Sequence, residues 1–184
     1  DGADLTAVTP ASETILSPTW SPDGRSIAYT RFLDGTGPII LQDLATGRSQ
    51  KVTGTESQLN FTPAFSPDGR TLAFARTDQE GGTDLYAVNV ADQCCVRRLT
   101  VGRFADNLSP TDAPDGRRIA FVSSRPGSPQ IYAMSADGTD QEDQHGSGRA
   151  PTGNPAAERH AQRQQGRPEQ DPLAHRHPLQ VIPE

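Results

Sequence analysis

SPTWSPDGRSIAY, residues 17–29, recurs as TPAFSPDGRTLAF at residues 62–74 and as SPTDAPDGRRIAF at residues 109–121. The aspartates that follow the second proline are 45 residues apart in the first two copies and 47 apart in the last two. Thirteen aligned positions in three copies, at a nearly constant spacing, are the signature of a repeat architecture. Most of the chain is therefore built from three copies of one structural unit.

Each copy contains a tight turn between two strands. In Ser-Pro-Asp-Gly, proline presets φ near −65°, aspartate bonds to nearby backbone, and glycine accepts a positive φ at little cost. The turn residues of the three copies are Pro22, Asp23, Gly24, Pro67, Asp68, Gly69, Pro114, Asp115 and Gly116. Because each aspartate occupies the same position in a different unit, we expect structural turns and no converging acid–base pair. We predict that each turn joins the second and third strands of its unit.

The segment after the turn predicts a strand with two apolar faces. Large and small residues alternate in Ile27-Ala28-Tyr29, and the other copies keep this order. A strand covered by neighbours on both sides needs two apolar faces, and alanine lets one neighbour approach closely. Two more segments keep the register: IILQDL at residues 39–44, and a Val-Thr or Leu-Thr pair before each turn motif. Four strand-like segments in about 45 residues are typical of one β-propeller blade.

We therefore predict an all-β fold, a partial β-propeller of about three four-stranded antiparallel blades. The propeller segment is residues 1–140, with blades at about 5–48, 49–95 and 96–140. The third blade has Asp112 where the others have Trp20 and Phe65, and loss of a buried aromatic costs about 3 kcal/mol. The pattern ends at Asp140, which predicts an incomplete third blade. Because three blades do not close a propeller, we expect open edges and self-association through them.

Residues 141–184 are predicted to be a disordered or out-of-frame tail. This stretch contains no aromatic residue and few large apolar ones, so it cannot bury enough surface to offset its ordering entropy. All histidines of the chain lie in it, namely His145, His160, His175 and His177. Their position removes Ser-His-Asp and Cys-His catalysis from the repeats, so no catalytic residue is predicted.

Composition and motifs argue against several classes of ligand. A formal net charge of −6 and a pI near 5.2 argue against nucleic acid. No apolar run is long enough to predict a transmembrane segment. Residues 137–140 lack the alternating ligands of an EF-hand loop, and we predict neither a metal nor a cofactor. Cys94 and Cys95 are predicted to lie in an exposed loop, with a vicinal disulfide or redox switch left open.

The turn motif, followed by Ile-Ala-Phe and later by Ile-Tyr-x-Met, resembles the WD-like repeat of the TolB-type six-bladed propellers. This resemblance implies a non-catalytic scaffold for protein–protein interaction that is periplasmic or otherwise extracytoplasmic. It also implies that the partner is an envelope lipoprotein of the Tol–Pal system. Related blades form the gating propeller of prolyl-oligopeptidase-like serine peptidases and sensor modules of membrane regulators. The repeats alone leave both alternatives open.

Overall fold

Twelve β-strands and no helix form the described part of the computed structural model, which covers residue 3 and residues 5–53, 58–77, 81–102, 105–140 and 142–143. The first sheet contains β1 (Thr14–Trp20), β2 (Ser26–Phe32), β3 (Ile39–Asp43) and β4 (Ser49–Lys51). The second contains β5 (Asn60–Phe65), β6 (Thr71–Thr77), β7 (Thr83–Asn89) and β8 (Arg97–Arg98). The third contains β9 (Asn107–Asp112), β10 (Arg118–Ser123), β11 (Gln130–Ser135) and β12 (Glu142–Asp143).

Strands that follow one another in the chain are antiparallel neighbours within each sheet. The predicted all-β fold with three four-stranded antiparallel blades is confirmed. The prediction that the third blade is incomplete is wrong, because Glu142 pairs with Ala133 and Asp143 with Tyr132. A strand pairs through its backbone, so β12 forms without the Leu-Thr pair that follows β4 and β8. The predicted tail, apart from these two residues, lies outside the described residues.

The sheets are offset by one strand from the predicted blades. The predicted boundaries assign Ser49–Lys51 and Arg97–Arg98 to the start of the following blade, but each is the last strand of the preceding sheet. Beyond β4, the Val52 N–H donates to the Ile39 carbonyl at 2.8 Å, and the Thr53 hydroxyl accepts from the Ile39 N–H at 2.9 Å. The Ser-Pro-Asp-Gly turn therefore joins the first and second strands, which corrects the prediction. A repeat fixes the length of a unit but not the residue at which a sheet begins.

The first strand of each sheet lies innermost, because β1 contacts β5 and β5 contacts β9. Each of these strands has a bulge at a Ser-Pro or Thr-Pro pair, where the register with the next strand shifts. The residue before proline has a positive φ in all three: 52° at Ser17, 49° at Thr62 and 52° at Ser109. A bulge bends the strand and increases its twist. The three inner strands thus repeat one local distortion.

Blades pack with large residues against small ones. Leu72 and Phe74 of the second blade share a buried cluster with Ala28 of the first. Ile119 and Phe121 of the third share another cluster with alanines of the second. The alternation of large and small residues therefore gives each blade one face for the preceding blade and another for the next. The described residues include no helix long and apolar enough to cross a membrane.

Candidate functional site

The three Pro-Asp-Gly turns form one end of the blades, called here the turn end. In the first turn the Ser21 hydroxyl donates to Asp23 Oδ1 at 2.7 Å, and the same oxygen accepts from the Arg25 N–H at 3.0 Å. The Gly24 N–H donates to the Ser21 carbonyl at 2.9 Å, with φ of 70° at Gly24. The second turn repeats these bonds at the same distances. The hydrogen bonds to its carboxylate hold the pKa of Asp23 below its usual range, and the bond from the Ser21 hydroxyl has the largest effect.

The third turn keeps the backbone geometry without the hydroxyl. The Gly116 N–H donates to the Ala113 carbonyl at 2.8 Å, and Asp115 Oδ1 accepts from the Arg117 N–H at 3.0 Å. Ala113 replaces the serine of the other turns. The structure thus places all nine predicted turn residues in equivalent turns, and their purely structural role stays a prediction.

Successive turns stand next to each other. A Cβ atom placed on Gly69 lies 3.6 Å from Pro22 Cδ, and one on Gly116 lies 3.8 Å from Pro67 Cδ. Carboxylates of adjacent turns consequently line the same groove, although we expected them to stay apart. The groove between the second and third blades, here the Asp112 groove, contains Asp68, Asp112 and Asp115.

Asp112 was read from the sequence only as a missing aromatic, and its place in a groove was not predicted. It pairs with Ile119 as Phe65 pairs with Leu72, so Asp112 and Phe65 occupy equivalent positions. Phe65 packs against the cluster between the first two blades. In the next groove the half-buried Asp112 adjoins a cavity of about 300 Å³. The equivalent Trp20 is 63 % exposed, so the position is not buried in every blade, contrary to expectation.

The carboxyl of Asp112 is poorly solvated. Its Oδ2 atom is buried and has no hydrogen-bond partner among the residues that the structure describes. Burial, and secondarily the charge of Asp68, raises the pKa of Asp112 to about 6. Arg97 also lines the groove, where its guanidinium donates to the carbonyls of Asp137 at 2.7 Å and Ala136 at 2.9 Å. The groove thus combines acidic groups with an arginine that binds carbonyl oxygens of the third blade.

Asp84 is a second important residue that the sequence did not reveal. Its fully buried carboxylate accepts from the Thr100 hydroxyl at 2.5 Å, the Gly102 N–H at 3.1 Å and Asn107 Nδ2 at 2.9 Å. It also forms an ion pair with Arg98. These bonds join β7 to the end of β8 and to β9. The acidic residue early in β7 and the Arg-x-Thr segment after it were the available signal, but their pairing depends on the fold.

The opposite end of the blades, where β2 ends and β3 begins, is called the hairpin end. Leu33 lies here and is 54 % exposed, next to the exposed Phe32. Val101 is 72 % exposed and precedes Gly102, whose N–H binds Asp84 near the start of β7. Exposed apolar side chains that cluster on one surface are typical of protein-binding sites. The hairpin end therefore exposes apolar side chains of two blades, Phe32 and Leu33 in the first and Val101 in the second.

Cys94 and Cys95 form a disulfide in the connection between β7 and β8. Cys95 is exposed and Cys94 is half-buried, so the pair lies at the surface. This arrangement matches the vicinal disulfide that the sequence left open. Among the described residues no group of three His, Cys, Asp or Glu side chains is placed to hold a metal ion. The four histidines lie outside the described residues.

The family model, a curated relative and a solved structure agree on one family. The family model for the TolB β-propeller domain matches residues 1–158. The Tol-Pal system protein TolB of Bordetella pertussis is 39 % identical over 140 residues, which are 76 % of this chain and 31 % of that protein. The crystal structure of TolB from Acinetobacter baumannii has a TM-score of 0.67 at 32 % identity, covering 78 % of this chain and 35 % of that one.

A peptidase also shares the architecture. A puromycin-hydrolyzing peptidase from Mycobacterium tuberculosis has a TM-score of 0.62 at 21 % identity, covering 77 % of this chain and 23 % of that one. At that identity the likeness concerns the fold alone. The matched part of the chain spans less than a third of the length of the B. pertussis relative.

Proposed function

Because the chain belongs to the TolB β-propeller family, we propose that it is a non-catalytic protein-interaction module of the Tol–Pal envelope system. The observation that carries this proposal is the 39 % identity to a Tol–Pal TolB protein over 140 residues of the chain. The repeated residues of the chain are accounted for by turns and by packing between blades. Residues outside the repeat pattern are therefore the candidates for binding a partner.

The proposed partner is an envelope lipoprotein of the Tol–Pal system, and the proposed location is extracytoplasmic. We place its docking surface at the hairpin end, on Leu33, Val101 and their neighbours, because they expose apolar surface outside the packing of the blades. Apolar anchors surrounded by polar residues commonly carry most of the free energy of a protein interface. The acidic net charge of −6 opposes a nucleic-acid partner.

Titration calorimetry of the 184-residue chain against the soluble domain of the Tol–Pal lipoprotein from the same source tests this proposal. We expect a dissociation constant of about 10 μM or tighter, which is about −7 kcal/mol. An unrelated lipoprotein domain serves as the partner control. The absence of heat with the Tol–Pal lipoprotein up to about 1 mM, the weakest range worth assigning to a partner, overturns the proposed partner.

A pair of matched variants tests the docking surface separately. Leu33→Ser removes an exposed apolar side chain at the hairpin end, and Val96→Ser removes one that is 43 % exposed between β7 and β8. Truncation of an anchor residue costs more than about 1 kcal/mol, which is roughly a fivefold weaker affinity. We expect that loss for Leu33→Ser and an unchanged affinity for Val96→Ser. Equal affinities for both variants place the docking surface elsewhere while leaving the partner intact.

The gating-propeller alternative has weaker support than the interaction module. Its structural likeness is at 21 % identity, which reports the shared propeller fold and nothing about chemistry. The sensor-module alternative stays a prediction of the sequence. Both share with the proposed function a propeller that binds other groups without reacting with them.

A further inference from the structure

The Asp112 groove differs from the preceding groove at the repeat position that Phe65 occupies. Phe65 packs its ring against the cluster between the first and second blades. Asp112 takes the equivalent position between the second and third blades, next to a cavity of about 300 Å³. An apolar floor of Ala73, Ala87 and Ile119 lies in this groove. A carboxyl group therefore stands where packing of the two blades favours a large apolar side chain.

Few described groups compensate a negative charge at Asp112. Its Oδ2 atom is buried without a hydrogen-bond partner among the described residues. Asp68 and Asp115 face the groove from the two adjacent turns, and Arg97 faces it from β8. Hydrogen bonds from the Ser66 hydroxyl and the Arg70 N–H lower the pKa of Asp68, so its negative charge persists in mild acid.

Arg97 is the one cation among the residues that line this groove. Both terminal nitrogens of its guanidinium already donate to carbonyl oxygens of Ala136 and Asp137. These bonds attach β8 of the second blade to the connection after β11 in the third. An ionised Asp112 thus meets a persistent like charge at Asp68 and an arginine committed to other acceptors.

We propose that Asp112 makes the packing of the third blade on the second pH-responsive: its neutral carboxyl lets the blades close, and its ionised carboxylate weakens their contact. The groove geometry supplies the physical reason, because only the neutral form can stay poorly solvated beside Asp68 at low cost. This pH response depends on the interface between the second and third blades and not on the proposed protein partner.

The direction of the pH effect follows from linkage. The pKa of Asp112 is about 6 in the folded chain and 3.8 in its ordinary state. A carboxyl whose folded pKa is raised binds more protons when folded, so folding is favoured below the ordinary pKa. This contribution is lost as pH rises from about 4 through about 6. Mild acid therefore tightens the second and third blades, and neutral pH loosens them.

The test compares wild type with Asp112→Asn, which keeps the shape of the side chain and removes its charge. Denaturant unfolding of the 184-residue chain is measured from pH 5 to pH 7.5. The ratio of the unfolding constants, wild type over variant, should rise by up to about tenfold across this range. Because Asp112 is only half-buried, solvent screening lowers the expected rise in this ratio to about threefold at least. Using a ratio cancels the pH effects that wild type and variant share.

Asp115→Asn is the matched control, because it removes a carboxylate from the same groove but at an exposed turn position. We expect the ratio of unfolding constants, wild type over Asp115→Asn, to stay constant with pH. Carbon-13 NMR titration of the Asp112 carboxyl in the folded wild type gives an independent reading, even if Asp112→Asn fails to fold. A midpoint near 6 supports the proposal. A midpoint near 4, or a wild-type to Asp112→Asn ratio that does not change with pH, overturns it.

Discussion

Replacing Asp84 by alanine tests how the second blade is joined to the third. The carboxylate is fully buried and accepts hydrogen bonds from Thr100, Gly102 and Asn107, besides its ion pair with Arg98. Alanine leaves the Thr100 hydroxyl and the Gly102 N–H without that acceptor. Asn107 keeps a second bond, to the Thr83 carbonyl at 3.2 Å. Two buried donors thus lose this acceptor, and Arg98 loses its ion pair but keeps its bond to the Thr100 carbonyl at 3.0 Å.

The free energy of unfolding should fall by about 3 kcal/mol. Breaking a buried ion pair by removal of one partner costs about 3–5 kcal/mol, and an orphaned buried donor costs about 1–3 kcal/mol. We expect the lower end of the first range, because the Arg98 side chain is 37 % exposed and water can solvate its charge. A loss of this size is a large fraction of the stability of an ordinary domain, about 5–15 kcal/mol.

Urea denaturation followed by circular dichroism measures the effect. Asp92→Ala is the control, because Asp92 is exposed and accepts one bond, from the Cys94 N–H at 3.2 Å. Its free energy of unfolding should change by less than about 1 kcal/mol. If Asp84→Ala loses no more stability than Asp92→Ala, the carboxylate does not link the two blades and the reasoning is refuted.

Three further substitutions test the packing and the turns. Phe74→Ala, which truncates a fully buried ring between the first two blades, should lower the free energy of unfolding by about 3–5 kcal/mol in the same assay, and a loss below about 1 kcal/mol contradicts the packing. Gly69→Ala should cost about 1 kcal/mol, because φ is +72° there and Pro22 Cδ lies 3.6 Å from the added carbon, and an unchanged melting temperature counts against this turn geometry. Ser66→Ala should cost about 1 kcal/mol near pH 7. The Ser66 hydroxyl lowers the pKa of Asp68, so that part of the stability is present above the ordinary pKa and lost as pH falls through the folded one. The difference between wild type and Ser66→Ala should therefore shrink in acid, and a constant difference from pH 7 to pH 2 refutes the role of the carboxylate.

The fold was predictable because its determinants repeat. The residue types of one turn and the alternation of Ile27, Ala28 and Tyr29 occur three times, so each copy supports the reading of the others. The same pattern did not predict the residue at which each sheet begins. Ser49–Lys51 is a short exposed strand without apolar alternation, and only its pairing with β3 assigns it to the first sheet.

The candidate sites could not be predicted from the sequence, because they depend on contacts between residues of different blades. Asp112 could be recognised as a departure from the repeat, but its effect depends on Asp68, which lies 44 residues earlier in the neighbouring blade. Asp84 meets Asn107 across 23 residues, through the docking of two sheets. Patterns within a blade report which face of a strand is buried. They do not report which polar groups meet across the groove between two blades.

Residues that depart from the repeat are consequently the best guide to what distinguishes this propeller from others. A repeated residue satisfies the same packing demand in every blade, so its presence needs no ligand or partner to explain it. Gln42 illustrates the opposite case: it replaces the Val88 of the second blade, and its Nε2 donates to the Val8 carbonyl at 2.7 Å while its Oε1 accepts from the Tyr29 hydroxyl at 3.0 Å. Such a departure replaces an apolar contact with hydrogen bonds to particular residues, here Val8 and Tyr29. Asp112 departs in the same way, but it brings a titratable carboxyl without a described partner. Its groove should therefore respond to pH, whereas the amide of Gln42 does not titrate.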